Sequence, residues 1–189
     1  PMSSMADTLL CSEVLNEAQT RKVLSRIQQR SDRLMKFIER YSQLSQLPPA
    51  QPTWFDFSEA LGEARAMVNE NCQVQFHGNN QCYGDVHQVL QVLINVLKNA
   101  QEACLVEICK VKIKIYLVKN EQIIEITDNG SGFASLDNVL TPFYTTKTHG
   151  SGIGLSLCAE IARNHHGQLL VSNISDGGAK ISMTWPTTS

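Results

Sequence analysis

Apolar residues recur at alternating spacings of three and four between residues 15 and 47, which predicts one long amphipathic helix. The positions of its seam are Leu24, Ile27, Ser31, Leu34, Ile38, Tyr41 and Ser45. A heptad seam is typical of a helical hairpin or coiled coil and requires a partner helix, which the short preceding segment cannot provide alone. Pro48, Pro49 and Pro52 interrupt the helical pattern, so residues 47–53 are the predicted domain boundary.

Beyond this boundary the pattern changes to short strands and amphipathic helices. The predicted elements are a strand at 54–57, a helix capped by Ser58 that extends to about residue 69, a strand at 74–77, a helix from 86 to about 104, strands at 111–117 and 124–126, a helix from 152 to 165, and strands at 168–174 and 179–185. Asp85 and Gln88 have the spacing of an N-cap and N3 pair at the start of the longest of these helices. A hairpin is expected around Asn120, and the long connection 129–151 is typical of a lid or binding loop.

This order of elements predicts an α+β fold. We expect a two-layer sandwich over residues 53–189, in which a mixed β-sheet carries helices on one face. The long helix within residues 1–47 precedes it as a separate element.

The composition of the chain argues against several classes of partner and of binding site. A net charge of −2 on 189 residues provides no basic field for a phosphate backbone, so nucleic acid is not expected as a partner. None of the six cysteines forms a Cys-x-x-Cys pair, which favours reduced, buried thiols over a disulfide framework or a zinc site. The sequence has no signal-peptide pattern and no spanning apolar run, so we expect a soluble, cytoplasmic chain. Because it begins with Pro1, we expect a fragment, with any membrane anchor in the missing parts of its parent protein.

Two asparagines lie one turn apart on the predicted helix 86–104. Asn95 and Asn99 point the same way, and asparagine is a poor helix former because its side chain competes for backbone hydrogen bonds. A solvated polar face explains Gln88 and Gln91 on the same side. The two asparagines are open to the same explanation, or to the alternative that an amide oxygen ligates Mg²⁺, which prefers oxygen donors.

Asp128 ends an apolar strand and begins the sequence Asp-Asn-Gly-Ser-Gly. An ionised carboxylate only accepts hydrogen bonds, so at a strand end it can bind the exocyclic amine of adenine and discriminate against the carbonyl of guanine. Gly130 and Gly132 allow a base or ribose to approach the backbone closely. The competing interpretation is a plain turn, for which Asp-Asn-Gly is well suited.

A glycine-rich segment opens the following predicted helix. Its residues are Gly150, Ser151, Gly152, Ile153, Gly154 and Leu155. Amides at a helix N-terminus can hold phosphate oxygens, although a flexible helix cap has the same sequence. Lys147 is a candidate for the γ-phosphate, with an exposed surface lysine as the alternative. His165 and His166 are expected as helix-end residues rather than metal ligands.

The order and spacing of these motifs resemble one family. The chain is similar to the catalytic ATP-binding domain of two-component sensor histidine kinases, whose Bergerat-type fold is shared with gyrase and mismatch-repair ATPases. QVLQVLINVLKNAQEA at 88–103 resembles the N box, DNGSG at 128–132 the G1 box, PFYTTK at 142–147 the F box and GSGIGL at 150–155 the G2 box. Residues 1–47 resemble part of the dimerisation and phosphoacceptor hairpin, mainly its second helix.

The resemblance implies roles for the phosphate side of the site. Asn99 would ligate Mg²⁺ on the ATP phosphates, with Asn95 one turn before it. Gly150, Gly152 and Gly154 of the G2 box would form the phosphate lid, with Lys147 nearby. In the ATPase relatives the position of Asn95 typically holds a glutamate that activates water, and an amide cannot act as that base. This difference favours phosphoryl transfer over hydrolysis.

The resemblance also implies roles for the adenine side. Asp128 would bind the adenine amine in a pocket shaped by Gly130 and Gly132. The family's last glycine motif often has a threonine after the glycine, whereas here Gly178 is followed by Ala179. A hydroxyl contact to the base is therefore not expected.

The implied activity is that of a protein-histidine kinase, which moves the γ-phosphoryl of ATP to a histidine and then to an aspartate of a response-regulator receiver domain. No histidine precedes His77, so we expect that the chain was cut just downstream of the phosphoacceptor and does not autophosphorylate. The implied cofactors are ATP and Mg²⁺, and the long helix implies a homodimer. The alternatives are an ATP hydrolase of the same fold and a degenerate kinase that acts as an interaction module.

Overall fold

The computed structural model describes residues 17–45, 47–104, 106–147 and 150–187. The chain divides into two compact units between Ser45 and Gln46. In the first unit α1 (Glu17–Ser45) is a single long helix, and residues 1–16 of the predicted hairpin segment lie outside the described part. Along α1 the predicted seam residues Leu24, Leu34 and Ile38 are about half exposed, while the side chains of Tyr41 and Ser45 are not described.

The second unit contains the remaining helices and strands. In chain order they are β1 (Thr53–Asp56), α2 (Phe57–Arg65), β2 (Cys72–Gly78), β3 (Gln81–Gly84), α3 (Val86–Ala103), β4 (Cys109–Val118), β5 (Glu121–Asp128), α4 (Gly154–Asn164), β6 (Gln168–Asn173) and β7 (Ala179–Pro186). A five-stranded sheet has the order β2-β4-β5-β7-β6, with β2 parallel to β4 and the other pairs antiparallel. Val118 pairs with Glu121, which confirms the predicted hairpin at Asn120.

The sheet buries one face under the helices. On β4, Val111, Ile113 and Ile115 are buried, whereas Lys112 and Lys114 alternate with them and are exposed. Helix α3 packs on β4 and contacts both α2 and α4, and α4 packs on β6 and β7. The predicted α+β sandwich, a mixed sheet with helices on one face, is therefore confirmed.

Two local predictions in the second unit are wrong. The N-cap of α2 is Asp56 rather than Ser58: the Asp56 carboxylate accepts the Ser58 amide at 2.8 Å, and Ser58 lies inside the first turn. The helix ends at Arg65 rather than near residue 69. Strand β3 was not predicted from sequence, because four residues between turns carry too little periodicity; it pairs with β1 in a separate two-stranded sheet.

Asp85 caps α3 as predicted, but Gln88 does not complete the capping box. The Asp85 Oδ1 accepts the amides of His87 at 3.1 Å and Gln88 at 3.2 Å. Gln88 Nε2 instead donates to the Pro48 carbonyl at 3.0 Å. The Asp85 amide is accepted by Nε2 of His165 at 2.8 Å, so this buried histidine joins the end of α4 to the start of α3.

His165 makes the stability of this unit dependent on pH. Burial lowers its pKa, and its neutral form uses Nε2 as an acceptor. As pH falls below about 6.5, the unfolded chain takes up the proton first, so the free energy of unfolding should decrease. Urea unfolding between pH 7 and 5 should show a smaller decrease for His165→Gln, whereas His77→Gln, at an exposed position on β2, should behave like the unmodified chain. An unchanged pH dependence in His165→Gln would contradict this assignment.

The described cysteines Cys72, Cys82, Cys104, Cys109 and Cys158 are free thiols, and Cys11 lies outside the described residues. Burial raises the pKa of Cys82 and of Cys158 to about 12, which makes both of them unreactive. Within the described ranges, no helix combines the length and the apolar character needed to span a membrane.

Candidate functional site

Helix α3 presents Asn95 and Asn99 half-buried and one turn apart. Asn95 Nδ2 donates to the Gly154 carbonyl at 3.5 Å, and its Oδ1 accepts Gln91 Nε2 at 3.4 Å. A Cβ at Gly154 would lie 3.7 Å from Asn99 Nδ2. The two asparagines of the N box therefore lie against the first residue of α4, where the G2 box leads into the helix.

Lys147 also reaches α3. Its Nζ donates to Asn99 Oδ1 at 3.2 Å and to Glu102 Oε2 at 2.6 Å. Its own amide is held by Thr145 Oγ1 at 3.1 Å. The structure thus brings together two predicted site residues, Lys147 and Asn99. Glu102 is not among the residues predicted from sequence, although its position three residues after Asn99 places both side chains on one face of the helix.

The F box and the G2 box meet backbone to backbone. The Phe143 amide donates to the Gly152 carbonyl at 2.8 Å. Gly152 has a φ of 66°, and a Cβ there would lie 2.5 Å from the Phe143 carbonyl carbon. Phe143 itself adopts a φ of 70°, which is a strained conformation for a bulky residue. Close contact and left-handed backbone together require glycine at position 152.

The start of α4 has the properties of an anion site. Its N-cap residue, Ile153, makes no side-chain hydrogen bond to the first amides of the helix, so these donors are not satisfied by a cap. The Ile153 side chain is buried in the core, which means that only the backbone of this predicted site residue can contact a nucleotide. Ser151 and Leu155 are half-buried, and Gly150 is exposed.

The Asp128 carboxylate is oriented by two backbone donors. Its Oδ1 accepts the amide of Gly130 at 2.8 Å and that of Ala179 at 3.2 Å. Oδ2 accepts no hydrogen bond from the described residues. One carboxylate oxygen is therefore fixed in place while the other can accept a hydrogen bond from a ligand.

Two asparagines that were not predicted from sequence hold the G1 loop. Asn129 accepts the Lys110 amide at 2.7 Å and donates to the Ile108 carbonyl at 3.2 Å. Asn173 accepts the Phe133 amide at 2.7 Å and donates to the Phe133 carbonyl at 2.9 Å. Each side-chain amide replaces the backbone pairing that a strand would provide. Asparagine next to a strand end was the available signal, but the residues that it contacts are distant in sequence.

The G1 loop lies against the end of α3 and the turn before β7. The Ser131 amide donates to the Ala103 carbonyl at 3.0 Å, one turn after Asn99. Gly178 has a φ of 103°, and a Cβ there would lie 1.9 Å from the Asp128 carbonyl oxygen. Gly132 follows Ser131 and precedes Phe133, so both of its neighbours are hydrogen-bonded.

The predicted site residues therefore form two clusters. The first contains Asn95, Asn99, Lys147 and the start of α4, and the second contains Asp128, Gly130 and Gly132. Among the described residues no hydrogen bond joins the clusters directly. Both contact the C-terminal half of α3, so this helix sets the distance between them.

The donors near Asn99 fit magnesium held together with a nucleotide. Asn99 and Glu102 offer an amide and a carboxylate oxygen, which are donor types that Mg²⁺ prefers. Within the described part of the chain, no group of three or more His, Cys, Asp or Glu residues could hold a metal. Because Mg²⁺ commonly takes one or two protein ligands and completes its shell with phosphates and water, the residues present fit this mode of binding.

Known proteins match both the sequence and the fold. The family model described as "Histidine kinase-, DNA gyrase B-, and HSP90-like ATPase" matches residues 84–189. A putative sensor histidine kinase NtrY-like of Rickettsia bellii is 30% identical over 90% of this chain and 30% of its own length. Sensor protein kinase PilS of Pseudomonas aeruginosa is 28% identical over 97% of this chain and 37% of its own length. The chain thus spans about a third of either relative.

A solved structure supports the same fold. Histidine kinase ThkA, in complex with response regulator protein TrrA, aligns with a TM-score of 0.66 at 22% identity, over 100% of this chain and 58% of that chain.

Proposed function

We propose, because this chain belongs to the family of histidine kinase-, DNA gyrase B- and HSP90-like ATPases, that it is the ATP-binding catalytic part of a sensor histidine kinase. The activity proposed for the whole protein is transfer of the ATP γ-phosphoryl group to a histidine and then to a response-regulator aspartate. The observation that carries this proposal is the meeting of Lys147 with Asn99 beside the first turn of α4. A cation and helix amides, which can bind phosphate, converge there with an amide oxygen, which can ligate Mg²⁺.

In this proposal the two clusters bind opposite ends of ATP. Asp128 accepts the adenine amine with Oδ2, while Oδ1 stays on its two backbone donors. Gly130 and Gly132 lie beside the base, and the G2 backbone with Lys147 holds the phosphates. Asn99 ligates Mg²⁺, which when bound neutralises charge on the phosphate oxygens.

Hydrolysis of ATP is the less favoured alternative because Asn95 offers no base. Its amide is engaged with Gln91 on one side and with the Gly154 carbonyl on the other. An amide neither accepts a proton at neutral pH nor activates water. Asn95 acts in this proposal by fixing α3 to α4, which places the phosphate amides beside Asn99.

The proposed partners follow from the relatives and from α1. ThkA was solved with a response regulator, which supports a receiver domain as the acceptor for this kinase. Leu24, Leu34 and Ile38 are exposed on one seam of α1, and such a seam drives helix pairing, so residues 1–47 are proposed to form a homodimer. Residues 53–189 are proposed as the catalytic domain. ATP as substrate and free cysteines favour a cytoplasmic location.

The magnesium assignment predicts a selective defect in Asn99→Ala. Its affinity for Mg²⁺-ATP should fall about tenfold or more, or roughly 1.4 kcal/mol, because a metal ligand is lost. Its affinity for ATP in the presence of a chelator should change far less. Calorimetric titrations with and without Mg²⁺ measure both values, and Asn120→Ala in the hairpin turn serves as the matched control.

The possible results of these titrations distinguish the role of Asn99 in metal binding from the proposed function of the chain. Equal weakening with and without Mg²⁺ would remove Asn99 from the metal. An unmodified chain that is folded but binds no ATP would contradict the proposed function itself.

A further inference from the structure

The proposed function gives no role to Glu102, although its carboxylate is of a donor type that suits Mg²⁺ and lies closer to the Lys147 ammonium than the Asn99 amide does. Its Oε2 lies 2.6 Å from Lys147 Nζ, and the same ammonium donates to Asn99 Oδ1 at 3.2 Å. The Lys147 and Glu102 side chains are 37% and 56% exposed, so both can exchange partners without opening the core. One lysine thus bridges a carboxylate and the amide that is proposed to ligate Mg²⁺.

The bridge connects two different parts of the fold. Asn99 and Glu102 are fixed to the last turns of α3, whereas Lys147 belongs to the connection between β5 and α4. Its amide is tied to Thr145, which places the side chain across to the helix. The ion pair therefore holds the F-box segment against α3.

This arrangement and a bound nucleotide compete for the same groups. A magnesium ion lies ~2.1 Å from its oxygen ligands, so on Asn99 Oδ1 it would be repelled by the ammonium that contacts the same oxygen. Because the Glu102 carboxylate neutralises part of the Lys147 charge, the paired lysine attracts a phosphate less strongly. Lys147 has to leave Asn99 Oδ1 before Mg²⁺ can take that oxygen, and the γ-phosphate competes with Glu102 for the Lys147 ammonium.

We propose that Glu102 is a positioning residue that holds Lys147 on α3 and competes with the γ-phosphate for it. ATP binding exchanges the Lys147–Glu102 pair for a Lys147–phosphate pair and thereby frees Asn99 for the metal. This proposal rests on the proposed function and adds a device that regulates access to the same site. Ion pairs between exposed side chains are weak, so Glu102 adjusts nucleotide affinity by about twofold to fivefold rather than deciding whether ATP binds.

The experiment is a double-mutant cycle measured by ATP titration. Glu102→Gln preserves the shape of the side chain and removes its charge, and should bind ATP about twofold to fivefold tighter than the unmodified chain. Lys147→Met should bind more weakly. In the Lys147→Met background, Glu102→Gln should have little further effect, because the carboxylate acts through the lysine. Glu121→Gln, an exposed carboxylate at the opposite end of β5 from Asp128, is the matched control and should leave affinity unchanged.

Each other outcome overturns the proposal in a distinct way. If the unmodified chain binds ATP and Glu102→Gln binds equally well, the competition is absent while the proposed function stands. Tighter binding that persists in the Lys147→Met background would mean that Glu102 repels phosphate directly. Weaker binding of Mg²⁺-ATP by Glu102→Gln, with Mg²⁺-free ATP unaffected, would make Glu102 a metal ligand. A folded, unmodified chain without ATP affinity would remove the proposed function and this proposal together.

Discussion

Asp128→Asn should lose ATP affinity by about a hundredfold or more while retaining its fold. The new side chain keeps one oxygen, which can continue to accept the amides of Gly130 and Ala179. Its NH₂ group then takes the place of Oδ2 and faces the adenine amine, so that two donors oppose each other. Loss of a charge-assisted bond and an unpaired buried donor together cost ~3 kcal/mol or more, which corresponds to this change in affinity.

The same reasoning predicts the choice of base. The unmodified chain should bind ATP much better than GTP, because guanine presents a carbonyl where Oδ2 needs a donor. In Asp128→Asn the preference should shrink, since an amide donor is compatible with that carbonyl. Parallel calorimetric titrations with both nucleotides measure the ratio, and the charge-matched variant Glu121→Gln should retain it. Comparable affinities of the unmodified chain for ATP and GTP would refute the role of Asp128.

The sheet could be predicted because alternation is a local signal. In β4, apolar side chains at every second position record that one face is buried, and this holds whichever strands lie next to it. The hairpin at Asn120 follows from the same local information. Strand β3 has only four residues and depends on pairing with β1, which is a long-range contact that periodicity does not contain.

Helix capping likewise depends partly on local sequence and partly on long-range contacts. Asp85 was predicted as a cap from its spacing to Gln88, but its amide is accepted by His165, which is 80 residues away in sequence. At α2, Asp56 and Ser58 are both good caps, and the choice of Asp56 depends on Asn80, whose side chain donates to the Asp56 carboxylate at 2.7 Å. The local sequence identifies candidate capping residues, whereas tertiary contacts determine which of them caps the helix.

The motifs of the candidate site could be predicted from the sequence, but the residues that hold its loops in place could not. Glycine-rich loops and paired asparagines are visible along the chain, and the structure brings Asn99 and Lys147 into contact. Asn173 at a strand end and Glu102 on the polar face of a helix gave only general signals, because the loop that each contacts is distant in sequence. The roles of the predicted site residues remain predictions that the binding experiments test.

Incubation with radiolabelled ATP should leave these 189 residues without an acid-labile label, although the chain binds ATP. No histidine precedes His77 in the sequence, so α1 carries no phosphoacceptor. His165 is unsuited as a nucleophile because it is buried, its Nε2 accepts the Asp85 amide and its Nδ1 lies 2.8 Å from the Ile161 carbonyl. His77, His87 and His166 are exposed, but all three belong to the second unit and none lies on α1 or upstream of it.

A longer chain, extended upstream to include a histidine on a helix that pairs with α1, should gain the label. The chain covers about a third of the length of two relatives. The expected product is a phosphohistidine, which is lost in acid and survives in alkali. In the extended chain Asp128→Asn should abolish labelling, because transfer requires bound ATP, and this control separates transfer by the site from contaminating kinases.

The measurement on the unextended chain is the more informative part of this test. If the extended chain is labelled and the unextended chain is not, the phosphoacceptor lies outside the 189 residues, whereas the ATP-binding site lies within them. Acid-labile label on the unextended chain would contradict this division. Single substitutions of the exposed histidines, and of His149, which lies outside the described residues, would then show which one accepts the phosphoryl group.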